Sequence, residues 1–299
     1  MAHQVIGLGE ILWDIFGEER HLGGAPANFA YHVHALGDRG IPVSRVGADE
    51  LGRELLDRLG RLGVPTEFIQ VDPHHPTGTV VIRLDDAGQP DFNITPDVAW
   101  DYLELTDGLE RLAERADAIC FGTLAQRSPI SRRTVRRLLG AAGRALIVCD
   151  LNLRSELIDL GPDDAAGIDT VAGSMGLADV LKLNEQELAT LAGAFRRQEG
   201  GEALARWLIE KFHLRLVCLT RGAGGCVLYG PEGRTEEPGI EVDVADTVGA
   251  GDAFTAALVH GLLAGRPMAE VAAFANRVGA YVASRPGATP PLDRSRLPR

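Results

Sequence analysis

Short runs of four or five apolar residues recur along the chain, separated by stretches in which apolar positions return every three or four residues. The runs predict strands buried on both faces and the longer spacing predicts amphipathic helices, so their alternation predicts α/β layering around a mainly parallel sheet. Core strands are expected over Val5–Leu8, Val43–Val46, Ala118–Phe121, Ala145–Cys149, Val180–Leu183, Leu216–Thr220 and Cys226–Tyr229. Helices are expected over Asn28–Leu36, Gly52–Leu62, Thr106–Arg115, Ser131–Ala142, Glu185–Ala192, Gly201–Lys211, Ala253–Leu263 and Met268–Ser284. No Pro/Ser-rich linker and no internal repeat interrupts the series, so one α/β domain over residues 1–299 is the economical reading.

One region breaks the rhythm. Thr66–Val71, Thr77–Leu84 and Pro90–Thr95 read as strands with no helix among them, the last two joined by Asp85, Asp86, Ala87 and Gly88, which predicts an antiparallel insert. Ile11–Phe16 follows the opening strand almost at once, and a turn at Gly17–Arg20 leads into Leu22, Gly23 and Gly24. Strands from about residues 11–22 and 66–97 are therefore expected to form a small β-lid at the carboxyl edge of the sheet, where open α/β proteins place their ligands.

Charge and composition narrow the chemistry. The formal net charge is −12, and the densest basic cluster, Arg132, Arg133, Arg136 and Arg137, has the spacing of a solvated helix face, so no nucleic-acid partner is expected. No apolar run is long enough for a membrane span and no secretory leader is visible, which makes the cytoplasm the expected location. Cys120, Cys149, Cys218 and Cys226 lie in apolar segments without CxxC spacing and read as buried free thiols. The only lysines are Lys182 and Lys211, and neither follows a glycine, so a Walker A loop is excluded. The HRD, DFG and APE triplets of protein kinases are absent as well.

Two glycine-rich segments stand at predicted helix starts. Asp246 to Phe254 reads DTVGAGDAF, so Gly249, Ala250 and Gly251 leave backbone amides unencumbered where an anion is favoured. Asp252 beside them suits a catalytic base facing an acceptor, or else an ordinary N-cap. Gly23, Gly24, Ala25, Pro26, Ala27 and Asn28 join the expected lid to a helix, with an amide able to donate to and accept from a hydroxyl. Asp14, among Ile11, Leu12 and Trp13, is either a hydroxyl ligand or an exposed strand residue.

These segments, with Gly37, Arg45, Val46, Gly47, Asp49 and Gly52 downstream of the first, resemble the two signatures of the ribokinase-like (pfkB) carbohydrate kinases, and within that family the fructokinases. Asp150–Arg154, Leu183–Glu187 and Thr220–Gly225 agree in order and separation, so the resemblance spans essentially the whole chain. It implies a Rossmann-like three-layer α/β/α sandwich with a small β-sheet lid, and ATP-dependent phosphorylation of a sugar hydroxyl. By that resemblance Asp252 is the base, and Gly249, Ala250 and Gly251 form the anion hole. Asp14, Gly23, Gly24, Asn28 and Arg154 would hold the sugar, and Asn184, Thr220, Gly222, Gly225 and Asn276 the nucleotide. Asn184 and Glu187 of the NxxE pattern would position Mg²⁺ and phosphate, Glu187 through water, although taken by itself the pair is better read as a helix N-cap with an early acidic residue. A K⁺ ion would sit at Asp246 with the backbone near Val248, Arg285 and Gly287. A homodimer through the lids is expected.

Ala25-Pro26, where ribokinases more often carry Lys-Gly, and the segment Val98–Tyr102 are similar to bacterial fructokinases, which makes fructose the expected acceptor. Ribose, tagatose phosphate, a keto-deoxy sugar acid or a nucleoside remain alternatives, as does a non-catalytic sugar sensor of the same fold. A nicotinamide dehydrogenase is disfavoured, because Gly7-Leu8-Gly9 continues to Leu12 where the dinucleotide fingerprint needs glycine.

Overall fold

The computed structural model describes residues 2–84, 90–154, 160 and 164–297. Its first half contains β1 (Gln4–Leu8), β2 (Leu12–Phe16), β3 (Glu19–Gly23), α1 (Ala25–Ala35), β4 (Arg39–Gly47), α2 (Glu50–Arg61), β5 (Ile69–Asp72), β6 (Gly78–Leu84), β7 (Pro90–Ile94), α3 (Asp107–Glu114), β8 (Ala118–Phe121), α4 (Pro129–Ala141) and β9 (Leu146–Asp150). There follow α5 (Ala165–Met175), β10 (Val180–Asn184), α6 (Glu185–Ala194), α7 (Gly201–Phe212), β11 (Leu216–Thr220), β12 (Cys226–Gly230), β13 (Gly233–Glu237), α8 (Ala250–Leu263) and α9 (Met268–Ala283).

A nine-stranded sheet runs β13-β12-β11-β10-β9-β8-β1-β4-β5, and a four-stranded sheet runs β3-β2-β6-β7. The strands from β11 to β5 pair in parallel, and β12 and β13 extend the sheet antiparallel. Period-two alternation distributes the core. Ile119, Phe121, Ile147, Leu181 and Val217 pack on one helical layer, with Leu138, Leu191 and Leu208 among its contacts. Cys120, Val148, Val180 and Cys218 pack on α1, α8 and α9 through Phe29, Leu258 and Val278. Both faces of the sheet are covered, which is why its strands read as continuous apolar runs. All four cysteines are buried free thiols, and no described helix is long and apolar enough to cross a membrane.

The expected elements formed with small boundary shifts, α5 and β13 were not among them, and three placements differ from expectation. The strand expected over Thr66–Val71 is β5, and it belongs to the large sheet beside β4 rather than to the lid. The crossover helix α2 returns the chain parallel, and Pro73 and Pro76, which have no N–H to give, lie where it leaves for the small sheet. Within the insert β6 and β7 pair antiparallel as expected, but β2 joins them in parallel on β6, so the small sheet as a whole is mixed. The turn expected at Gly17–Arg20 is shorter, and Glu19–Gly23 forms β3. The joining residues 85–88 lie outside those described.

Asp49 fixes the geometry of the crossing. As N-cap of α2 it accepts from Gly52 N (2.7 Å), and it also accepts from Thr77 N (2.7 Å) and Thr77 Oγ1 (2.6 Å), just before β6. Trp100, fully buried with Leu12, Val80 and Val98 beneath the small sheet, has the Arg127 guanidinium 3.9 Å above its ring. The aromatic segment 98–102 thus packs the base of the lid.

Candidate active site

The carboxyl ends of β1, β9, β10 and β11 converge with the amino ends of α1, α6 and α8. Gly249, at φ 76°, is the N-cap of α8, and a Cβ there would press on Ala288. No side chain caps the helix. Among the described residues the amides of Gly251 and Asp252 meet no acceptor, while Ala250 N makes a long 3.3 Å contact to Thr247 O. The helix therefore begins at Ala250 instead of Ala253 and presents unpaired N–H groups.

Asp252 is the third residue of α8 and does not cap it. Its Oδ2 accepts from Asn28 Nδ2 at 2.9 Å, which ties the start of α8 to the first turn of α1. Burial pushes the Asp252 carboxyl up to about 6, helped by the charge of Asp150, while the Asn28 bond, Lys182 and Arg154 pull it down. At neutral pH it is mostly ionised, and more basic than an ordinary aspartate.

On one side of Asp252 lies a cavity of about 630 Å³, lined by Lys182, Asn184, Thr220, Gly222, Gly225 and Asn276 among others. Volume and mixed lining suit a cofactor-sized ligand. All five expected nucleotide residues thus line one cavity, although Asn184, Thr220 and Asn276 spend polar groups on the fold. Asn276 Nδ2 donates to Pro238 O (3.1 Å) and bolsters the loop behind the cavity, and Thr220 Oγ1 donates weakly to Leu183 O (3.3 Å). Gly225, at φ 85°, has no room for a side chain against Glu237 and Gly239.

Asn184 and Glu187 form a reciprocal capping box on α6, with Glu187 N to Asn184 Oδ1 and Asn184 N to Glu187 Oε2 both at 2.8 Å. Glu187 Oε1 accepts from Leu153 N at 2.8 Å, so both its oxygens already hold backbone amides. Burial raises its carboxyl, and Lys182 opposes the rise. What Glu187 retains for a metal is the second lone pair of each oxygen, which favours contact through water.

Lys182 was not among the expected site residues. It is almost fully buried, with Nζ 2.9 Å from Asp150 Oδ1. Thr255 Oγ1 donates to Asp150 Oδ2 at 2.7 Å. Burial works against the ammonium charge, but Asp150 and Glu187 outweigh it and hold Lys182 above its ordinary value. A Cβ on Gly251 would stand 3.3 Å from Lys182 Nζ, so the cation lies against the unpaired amides of α8. A charge at the centre of the apolar run Val180–Leu183 was the available sequence signal.

On the other side of Asp252 the lid contributes Asp14, in the middle of β2. Burial raises its carboxyl to about 6, against the pull of Arg154 and His21. Gly23 is small because a Cβ would overlap Asp14 Oδ2, and Gly24, at φ 99°, because it passes the Glu10 carbonyl. Asn28 Oδ1 is buried without a partner. Arg154 is exposed and forms no ion pair with a described residue, yet its charge reaches Asp14, Glu10 and Asp252. Glu10, also absent from the expected set, is 2% exposed with an unpaired Oε2, and burial raises it to about 7.

The expected cation loop is assembled by Asp246, which accepts from Val248 N (3.0 Å) and Gly287 N (3.1 Å). Arg285 packs over Tyr281 nearby. α1 braces this loop, since His32 Nε2 lies 2.8 Å from Ala288 O and Tyr31 OH donates to Pro290 O at 3.1 Å.

Unpaired amides, a buried ammonium and a raised carboxylate beside a cofactor-sized cavity are the parts of a phosphoryl-transfer site acting on a hydroxyl. The comparisons agree. The pfkB family carbohydrate kinase model matches residues 11–294, and the chain belongs to that family. Sugar kinase PH1459 of Pyrococcus horikoshii is 32% identical over 298 residues, covering 95% of this chain and 91% of that one, and its ATP complex superposes with a TM-score of 0.82. A fructokinase of Klebsiella pneumoniae is 34% identical over 266 residues, covering 86% and 83%. A Vibrio cholerae fructokinase double mutant, solved with fructose, ADP and potassium ion, is 26% identical with TM-score 0.81 over 97% of this chain and 96% of that one. The chain is thus an ATP-dependent sugar kinase of the α/β ribokinase-like fold.

Proposed function

We propose that the acceptor is fructose and that the chain is a fructokinase. The relatives named fructokinases support this, as does the Vibrio cholerae structure holding fructose and ADP. In this reading Asp14 and Asn28 Oδ1 take hydroxyls of the sugar, with Gly23 and Gly24 allowing its close approach and Arg154 facing it. Asp252 receives the proton of the attacked hydroxyl, whose oxygen bonds to the γ-phosphorus as the bridge to ADP breaks. The amides from Gly249 to Asp252 and the Lys182 ammonium take up charge on the transferring group. Asn184, Thr220, Gly222, Gly225 and Asn276 surround the nucleotide, and Mg²⁺ carried on its phosphates, near Glu187, would neutralise further charge. Asp246 with the backbone of Val248, Arg285 and Gly287 would hold K⁺ and stiffen the anion hole. The observation that carries the reading is Asp252, held by Asn28, standing beside unpaired helix amides, with Asn28 Oδ1 and Glu10 Oε2 buried without partners.

A coupled ADP assay with fructose, ribose, adenosine and a keto-deoxy sugar acid tests the substrate. Fructose should give the largest kcat/KM, and a tenfold preference for ribose or adenosine overturns the assignment. A second reading, the keto-deoxy acid, draws on the exposed Arg154, which meets no described carboxylate, and a preference for that compound selects it. Two lids meeting in a homodimer would cover Phe16, which is 48% exposed on the small sheet, and sedimentation showing a monomer at micromolar concentration refutes that assembly. A cytosolic setting accords with the ATP requirement and with four unpaired thiols.

A further inference from the structure

β9, β10 and β11 each carry two sites' worth of chemistry, one at either end. Their last residues, Asp150, Asn184 and Thr220, belong to the active site, while their first, Leu146, Val180 and Leu216, line a separate cavity of about 490 Å³. Five-residue strands put the two about 13 Å apart along the sheet. Neither the kinase reaction nor its residues explain the second cavity.

The floor is apolar, with Leu216, Leu228 and Met268, and the rim carries Arg144, Arg215 and Arg266 from three different connections. Arg144 lies between α4 and β9, Arg215 between α7 and β11, and Arg266 between α8 and α9. Arg144 and Arg215 are exposed, and none of the three forms an ion pair with a described carboxylate. Arg266 rests on the Phe274 ring at 5.3 Å. Two acids also line the space. Asp117 is engaged, its Oδ2 accepting from Gln4 N at 2.7 Å, and Glu232 stands exposed in the β12–β13 turn. The carboxyl end of α8 faces the cavity too, and its dipole opposes an anion, which Arg266 offsets. In a chain of net charge −12, three guanidinium groups against two carboxylates around one cavity leave a local excess of positive charge.

We propose that this cavity binds a small amphiphilic anion, a phosphate or carboxylate on an apolar body, with the arginines holding the headgroup and the leucine floor the body. Its volume falls within the range of small-molecule sites lined mainly by apolar side chains with a few polar anchors.

Titration calorimetry tests this on the intact chain, with the active site saturated by a non-hydrolysable ATP analogue, Mg²⁺ and fructose. Phenyl phosphate and octanoate are the probes, and benzyl alcohol is the uncharged control. Saturable binding of either anion, weakened at least about tenfold in Arg144→Gln/Arg215→Gln and reduced by added salt, supports the proposal, and the tighter probe identifies the headgroup. Absence of saturable binding by both anions overturns it, as does binding that benzyl alcohol equals or that the arginine substitutions leave unchanged. Arg266→Gln, on a third connection, repeats the test if the double variant does not fold. Sugar kinase kcat/KM should be unchanged in both variants, since none of these residues touches the active site.

Discussion

The two halves of the cleft hold their charges in opposite ways. On the nucleotide side Lys182, Asp150 and Thr255 form a closed set, and Asn184 and Glu187 satisfy each other and the start of α6. On the sugar side Glu10 Oε2 and Asn28 Oδ1 are buried without partners, and Asp14 is held near 6 by burial. A networked half is rigid before the ligand arrives and accepts any ligand with the right charge, as suits a common phosphate donor. A half with unpaired polar atoms penalises every occupant that fails to satisfy them, as suits the choice of acceptor. Asp252 lies on the boundary, paired to Asn28 on one side and facing the charges of Asp150 and Lys182 on the other.

The largest effects should come from that boundary and from the networked half. Asp252→Asn should keep the fold and lower kcat by about 10² to 10⁴, because Asn cannot accept the proton. ATP Kd should be unchanged or tighter, since a negative charge beside the phosphates is gone. A folded Asp252→Asn within threefold of wild-type turnover would show that another group is the base. Lys182→Met leaves Asp150 buried without its partner and should cost about 3–5 kcal/mol of stability, read by chemical denaturation, with weaker ATP binding besides. If Lys182→Met unfolded at the wild-type denaturant midpoint, the nucleotide half would not be the closed network described.

Much of the fold was legible in the sequence while the contrast between the halves of the cleft was not, and the limit has a physical form. Residues forced by backbone geometry were visible, because Gly24, Gly225 and Gly249 adopt conformations or close approaches that only glycine tolerates. The strands were visible because burial on both faces leaves little but apolar residues. Lys182 and Glu10 were missed because their meaning lies in what surrounds them, and one strand does not say which carboxylate its neighbour brings. Asn28 was expected at a helix start with its amide free for a hydroxyl, and its Nδ2 instead donates to Asp252, 224 positions away. The lid boundary failed at β5 for a related reason: a short strand reads alike in either sheet, and the helix before it decides which one it joins.

The sugar half can be sharpened next. Asp14→Ala should raise the sugar KM by about 10- to 100-fold, the cost of losing a hydrogen bond to a charged group, and leave ATP Kd unchanged. Its pH dependence is more telling. Asp252 and Asp14 both sit near 6, and both are read as acting in the ionised form, so kcat/KM should fall as pH drops through 6. Two protons give a limiting slope approaching two on logarithmic axes, and Asp14→Ala should reduce it to one. A slope of one in both proteins would remove Asp14 from the ionised requirement.

The smallest effect concerns stability and isolates the unpaired character of the sugar half. Glu10 rises from 4.5 to about 7 on folding, chiefly through burial, against the pull of backbone N–H groups at Glu10 and Ala25 and the charge of Arg154. The folded chain therefore holds a proton there that the unfolded chain has released between those two values. Stability must decline as pH rises across that window and level off above it, the reverse of a salt-bridged carboxylate. Glu10→Gln keeps an acceptor for the backbone groups and removes the ionisation. Relative to wild type it should be stabilising by about 1–3 kcal/mol more at pH 8 than at pH 4.5, a difference that cancels whatever the amide itself changes in packing. Denaturant midpoints at the two pH values measure it. An equal shift at both would mean that Glu10 finds in the folded chain a partner as good as water, and that the sugar half is no less satisfied than the nucleotide half.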